Sequence, residues 1–114
     1  MRRGEIWTVA AGQGYAGKPR PCVIVRDDSF DSTNSVTVSV FTTDPTDAPL
    51  FRILIEPSDG NGLEAASRIM ADKIVTVPRA KLGERIGRLA DDDVVRVNQA
   101  MLVFLGLAGA PRAG

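Results

Sequence analysis

The chain has 114 residues, one cysteine and no histidine, and its 14 basic and 14 acidic side chains cancel to a net charge of zero. That length suits one domain, which at this size hides roughly two-thirds of the surface its unfolded form exposes, so a core needs neither disulfides nor metals. A lone cysteine excludes an internal disulfide framework and any zinc site with two thiolates, and the lack of histidine excludes a His-centred triad and most transition-metal sites.

The charges are unevenly placed. Residues 1–26 carry a net +4, residues 27–66 a net −7 and residues 67–114 a net +3. A zero total argues against a non-specific nucleic-acid coat protein, yet leaves room for a local basic groove bordered by acidic loops. The opening Met1-Arg2-Arg3-Gly4-Glu5 leads into no apolar segment of signal-peptide length, no apolar stretch is long enough to span a membrane, and the expected compartment is the cytoplasm.

In chain order, residues 5–10 are rich in β-formers and predict a first strand. Residues 11–19 hold three glycines and a proline and predict a loop. The apolar run 22–25, opened by Pro21, predicts a buried strand, and 27–34 is polar and turn-like. Residues 35–40 alternate Ser-Val-Thr-Val-Ser-Val, the period-two signature of a half-buried strand, which ends at Phe41-Thr42-Thr43. Residues 51–55 predict a fourth strand, and Asp59-Gly60-Asn61-Gly62 a turn.

Residues 67–71 and 74–77 predict one long or bent strand with Asp72-Lys73 at the bend, then a helical turn at 80–82 and a short edge strand at 86–89. Asp91-Asp92-Asp93 precede Val94, Val97, Met101, Phe104 and Leu105 at intervals of three and four, which predicts an amphipathic helix with acids at its N-terminus. The expectation is a mainly β, α+β fold. It comprises a small antiparallel barrel with a C-terminal helix, a single domain over residues 1–114 with 108–114 as a flexible tail.

Three segments place polar side chains where strands emerge into loops, the usual location of binding and catalytic groups. In Lys18-Pro19-Arg20-Pro21 the flanking prolines restrict the backbone and aim Arg20, whose guanidinium suits bidentate binding of phosphate. Thr42-Thr43 end the alternating strand and offer hydroxyls to an anion, and Asp72-Lys73 sit at the strand bend.

Together with Arg3-Gly4-Glu5-Ile6-Trp7, Val23-Ile24-Val25, Asp72-Lys73-Ile74-Val75-Thr76-Val77 and Ile86-Gly87-Arg88-Leu89, these residues form an ordered set over residues 2 to 107. In this set the chain resembles the MazF/PemK (Kid) family of toxins from type II toxin–antitoxin systems. The resemblance implies an SH3-like barrel assembled as a homodimer. It also implies a sequence-selective, metal-independent endoribonuclease that needs no cofactor, cuts single-stranded RNA and inhibits translation and growth. A cognate antitoxin would block the RNA groove with an acidic C-terminal segment.

Carried over by position, Arg20 and Thr42 match the residues most often tied to catalysis, and Asp72 matches an aspartate given a general-base role in the PemK branch. That branch has an arginine two residues before the aspartate, where this chain has Met70, and the loop at 12–18 lacks the usual Ser-Glu-Gln segment.

RNA brings its own nucleophile, the 2′-hydroxyl, so the protein needs only to align it and to neutralise charge on the phosphoryl oxygens. Arg20 suits that neutralisation, while Asp72 or a water could accept the 2′-proton. Lys18, Arg26 and Lys73 are candidate phosphate contacts, joined by Thr43. Gln13 and Tyr15, with the 27–35 loop, are candidate readers of unstacked bases. Trp7 is assigned to the core or a dimer interface, and Cys22 to a buried, inert position.

The alternative on the same fold is a non-catalytic DNA gyrase poison of the CcdB type. Such toxins carry a tryptophan-bearing tail, and residues 107–114 here have none. A plain SH3-like module for proline-rich ligands would display more exposed aromatics than six in the whole chain allow.

Overall fold

Six strands form one sheet: β1 (Glu5–Val9), β2 (Arg20–Ile24), β3 (Ser35–Thr42), β4 (Arg52–Ile55), β5 (Ser67–Pro78) and β6 (Leu82–Arg88). The order is β4-β5-β3-β2-β1-β6, every neighbour is antiparallel, and α1 (Asp91–Phe104) follows. The computed structural model describes residues 1–10 and 19–109, so residues 110–114 of the expected tail lie outside the described residues. Among the described residues no helix is long and apolar enough to cross a membrane.

The alternation in β3 does what period two requires. Val36 and Val38 are buried on one face, while between them Thr37 turns outward and its hydroxyl meets that of Thr76 at 2.6 Å. Further along, Ser39 and Phe41 bury the opposite face, with Ser39 Oγ donating to the Met70 carbonyl at 2.6 Å. The sheet therefore covers apolar side chains on both faces. Ile6, Val23, Phe41, Ile53, Ile55, Ile69 and Leu89 pack under α1, and Val9, Cys22, Ile24, Val36, Val38 and Leu82 form a second cluster.

β5 is one bent strand, as its sequence suggested. Ser39 pairs with Ile74 and Phe41 with Ile69, so two steps on β3 face five on β5, and the surplus residues around Asp72 bend the strand. β6 begins at Leu82, earlier than the predicted 86. Gly83-Glu84-Arg85 has no strand-like pattern, and backbone pairing with β1 holds it extended, helped by the Glu84 N–H donating to Thr8 Oγ1 at 2.9 Å.

The expected antiparallel barrel-like sheet with a C-terminal helix forms, and its hydrogen-bonded ladder is not closed: β4 and β6 are its edges. The turn after β4 bridges them instead. The Arg88 N–H donates to the Gly60 carbonyl at 2.8 Å, and Asn61, 4% exposed, organises the turn from within. Its Oδ1 accepts from the Ser58 and Leu63 N–H groups at 3.0 Å each, and its Nδ2 donates to the Glu56 carbonyl at 2.8 Å. Gly62 has φ +69°, the left-handed region that favours glycine.

In α1, Asp91, Asp92 and Asp93 occupy the first turn, where their charges complement the helix dipole, and Ala90 caps the helix without a side-chain bond. Val97 and Ala100 are buried, and Val94 and Met101 pack beside them. Phe104 and Leu105, expected on the same buried face, are 47% and 51% exposed because the helix outruns the residues beneath it. Phe104 keeps a tilted contact with Phe51, with ring centroids 6.0 Å apart.

A Cβ on Gly87 would run into the backbone of Gly60 and Asn61. Gly87→Ala is therefore expected to destabilise the fold by on the order of 1–3 kcal/mol or more, the overpacking range, read as a lower urea midpoint at unchanged m.

Candidate functional site

At one end of the sheet β1 and β3 finish while β2 and β5 begin. Their ends, with β6 and the residues before β5, line a groove of about 580 Å³. Its walls include Thr8, Pro19, Arg20, Pro21, Thr42, Thr43, Leu63, Glu64, Ser67 and Ile86. Three of the residues singled out from sequence, Arg20, Thr42 and Thr43, are thus brought together.

The register explains the meeting. Cys22 pairs with Val40, and two more residues along each strand lead to Arg20 and Thr42 on neighbouring strands. Arg20 is exposed at the start of β2, held between Pro19 and Pro21. Thr42 Oγ1 accepts from the Asp44 N–H at 3.1 Å, which orients the oxygen and leaves its proton available to an anion. Thr46 bonds the Asp44 carboxylate through its hydroxyl at 2.7 Å and its N–H at 2.9 Å, which holds Asp44 below its ordinary pKa range.

Asp72 is not on this groove. Its carboxylate takes a bidentate pair from Arg52, Nε to Oδ1 at 3.0 Å and Nη2 to Oδ2 at 3.1 Å. That hydrogen-bonded guanidinium, against a smaller opposing effect of burial, holds the Asp72 carboxyl below the usual aspartate range. Arg52 lies directly across from Met70 in the β4–β5 register, so the guanidinium that the family resemblance expects at position 70 arrives from the neighbouring strand. The Phe51 ring centroid lies 5.8 Å from the Arg52 guanidinium carbon. Arg52 also lines a second, smaller hollow of about 350 Å³ with Arg68, Arg96, Leu50 and Val103.

Arg26 lies beyond the far end of β2 from Arg20. Its side chain is 8% exposed, donates from Nη2 to the Met1 carbonyl at 2.7 Å and sits 3.7 Å from Asp28 Oδ1. The 27–35 loop, with its 3-10 turn at Asp28–Phe30, shares that far end. Lys73 is exposed on the bend of β5 and does not line the groove. Gln13, Tyr15 and Lys18 lie outside the described residues. Trp7 is half-buried, its Nε1 donating to Glu5 Oε1 at 3.0 Å. Cys22 is fully buried, and burial pushes its thiol up to about 12, far from a reactive thiolate.

Sequence reasoning missed Thr8, Glu64 and Ser67. No periodicity marks them; they reach the groove because β1, the turn after β4 and the start of β5 converge there. Among the described residues, no cluster of three or more acidic or cysteine side chains is arranged to hold a metal ion.

A family model described as the PemK-like, MazF-like toxin of type II toxin–antitoxin systems matches residues 2–105. The chain is similar to a probable endoribonuclease MazF of Mycolicibacterium smegmatis, 59% identical over 109 residues that cover 96% of this chain and 100% of the relative. It is also similar to endoribonuclease MazF9 of Mycobacterium tuberculosis, 28% identical over 94% of this chain and 98% of that protein. In three dimensions it resembles an endoribonuclease solved in complex with its cognate antitoxin, from a mycobacterial species. The TM-score is 0.80 at 25% identity, covering 96% of this chain and 99% of that one.

Because Arg52 lowers the Asp72 pKa in the folded state, the pair's contribution is complete above the pKa of an unfolded aspartate, about 3.9, and disappears as pH falls through the lower folded value. Arg52→Ala is expected to cost on the order of 1–3 kcal/mol at neutral pH and much less at about pH 2, measured by denaturant unfolding at both.

Proposed function

The chain belongs to the PemK-like, MazF-like toxin family of type II toxin–antitoxin systems, and on that premise we propose that it is a sequence-selective endoribonuclease cutting single-stranded RNA at the Arg20–Thr42 groove. The observation that carries this reading is the convergence of Arg20, Thr42 and Thr43 at the strand ends, where a guanidinium and two hydroxyls line one groove.

The reaction is an internal transesterification. The 2′-oxygen attacks phosphorus in line with the leaving 5′-oxygen, and the products are a 2′,3′-cyclic phosphate and a 5′-hydroxyl. Charge accumulates on the phosphoryl oxygens as the transition state forms, and a guanidinium placed there stabilises it more than the ground state. Arg20 carries that charge, and the Thr42 hydroxyl, oriented by the Asp44 N–H, donates beside it. Because the substrate contains the nucleophile, no metal-activated water is required by the chemistry. DNA lacks the 2′-hydroxyl and is not cut.

The protein acts as a homodimer. Leu102, Val103, Phe104, Leu105 and Leu107 of the helix end are exposed together, with Leu50 likewise exposed, an apolar concentration that a second copy would cover. A cognate antitoxin would occupy the groove with an acidic segment, in keeping with the antitoxin complex formed by a structural relative. No observation favours the gyrase-poison alternative.

Incubation of the protein with a long single-stranded RNA in the presence of a chelator, followed by mapping of the ends, tests the reading. Cuts at one short recurring sequence with cyclic-phosphate ends are expected, and an absence of cleavage overturns it. Arg20→Ala is expected to keep the circular dichroism spectrum and lose activity by about 10²-fold or more.

A further inference from the structure

We propose that Glu64 is the general base of the cleavage, the group that takes the proton from the attacking 2′-hydroxyl. The inference rests on the ribonuclease reading above. The groove that gathers Arg20 and Thr42 has one carboxylate among its described lining residues, and it is Glu64. The other described side chains reaching it are neutral apart from Arg20 of β2: Thr8 from β1, Thr42 from β3, Ser67 from β5 and Ile86 from β6.

The chain has no histidine, and Cys22 is buried with its thiol pushed up to about 12, so a carboxylate is the natural acceptor. Asp72, the candidate from sequence, is unsuited on two counts. It lies off the groove, and Arg52 occupies both of its oxygens. A base whose lone pairs are taken by a guanidinium has neither the access nor the basicity to accept a proton. No hydrogen bond or ion pair among the described residues engages the Glu64 carboxylate.

Glu64 also sits where it can be aimed. It follows Leu63, which is 8% exposed and anchored by its N–H to Asn61 Oδ1 at 3.0 Å. Three residues on, buried Ser67 starts β5. The carboxylate therefore projects from a short span fixed at both ends rather than from a free loop tip.

In the step itself, a Glu64 carboxylate oxygen accepts the proton of the 2′-hydroxyl as the 2′-oxygen electron pair forms the new bond to phosphorus. The bond from phosphorus to the 5′-oxygen breaks, and that oxygen takes a proton from solvent while Arg20 offsets the charge on the phosphoryl oxygens. The Glu64 proton then returns to solvent, so protons and electrons balance without a further reactant.

The test compares single-turnover and steady-state cleavage by the wild-type protein, E64Q, E64D and D72N across about pH 3.5 to 9 on an RNA bearing the mapped site. E64Q is expected to lower kcat by about 10²-fold or more with little change in KM, and to lose the fall in rate at acidic pH that the wild type shows. E64D, which shortens the side chain but keeps the carboxylate, is expected to retain that acidic fall with a reduced rate.

Cleavage by E64Q within threefold of wild type, an effect confined to KM, or an acidic fall that persists in E64Q and vanishes in D72N would each overturn the assignment while leaving the ribonuclease reading intact. Failure of the wild type to cut any RNA would overturn that reading, and this inference with it. Thermal melts of each variant separate chemistry from folding. If E64Q does not fold, a pH profile of E64D identical to that of the wild type in rate and shape overturns the assignment.

Discussion

Much of this molecule depends on a contact that has almost no side chains in it. The hydrogen-bonded sheet leaves β4 and β6 as edges, and the turn after β4 crosses to β6 with Gly87 and Gly62 each lying against backbone of the other segment. Backbones can approach this closely only where no Cβ intervenes. Within the turn the Asn61 side chain is buried and satisfies three backbone groups, and the Ser58 hydroxyl oxygen accepts from the Asn61 N–H. Closing the fold in this way also carries Leu63, Glu64 and Ser67 to the ends of β1, β2 and β3. The groove is thus a by-product of how the open sheet is sealed.

The arginines divide into those that hold structure and those that face outward. Arg26 and Arg52 are largely withdrawn from solvent, and each is committed to a partner, Arg26 to the Met1 carbonyl and Arg52 to Asp72. Partly buried charges of this kind persist because removing either partner would strand the other. Arg20 is exposed at the mouth of a strand between two prolines. The Arg52–Asp72 pair also bears on the family resemblance. Position 70 holds Met rather than arginine, and the cross-strand neighbour Arg52 brings a guanidinium to Asp72.

Legibility from sequence followed the range of the physics involved. The alternation in residues 35–40 and the three-four spacing after Asp93 are local periodicities, and both elements formed where those patterns fall. The bend at Asp72-Lys73 was legible for the same reason, because two apolar runs flank a charged pair. The start of β6 was not, since Gly83-Glu84-Arg85 becomes a strand only through its pairing with β1. The exposure of Phe104 and Leu105 was equally hidden, because periodicity names a helix face without saying how far the surface beneath it extends.

By itself, then, the sequence determined the mainly β architecture with a terminal helix, and the family through its ordered motifs from Arg3-Gly4-Glu5-Ile6-Trp7 onward. It also excluded imidazole and multi-thiolate chemistry, which composition alone decides. Only the tertiary structure decided that the sheet is open, that Arg26 and Asp72 are engaged away from the groove, and that Glu64 lines the same groove as Arg20. The reason is range. Periodicity and turn chemistry act over a few residues, whereas Arg20, Thr42 and Glu64 line one groove only because strand register and the closing turn bring distant segments together.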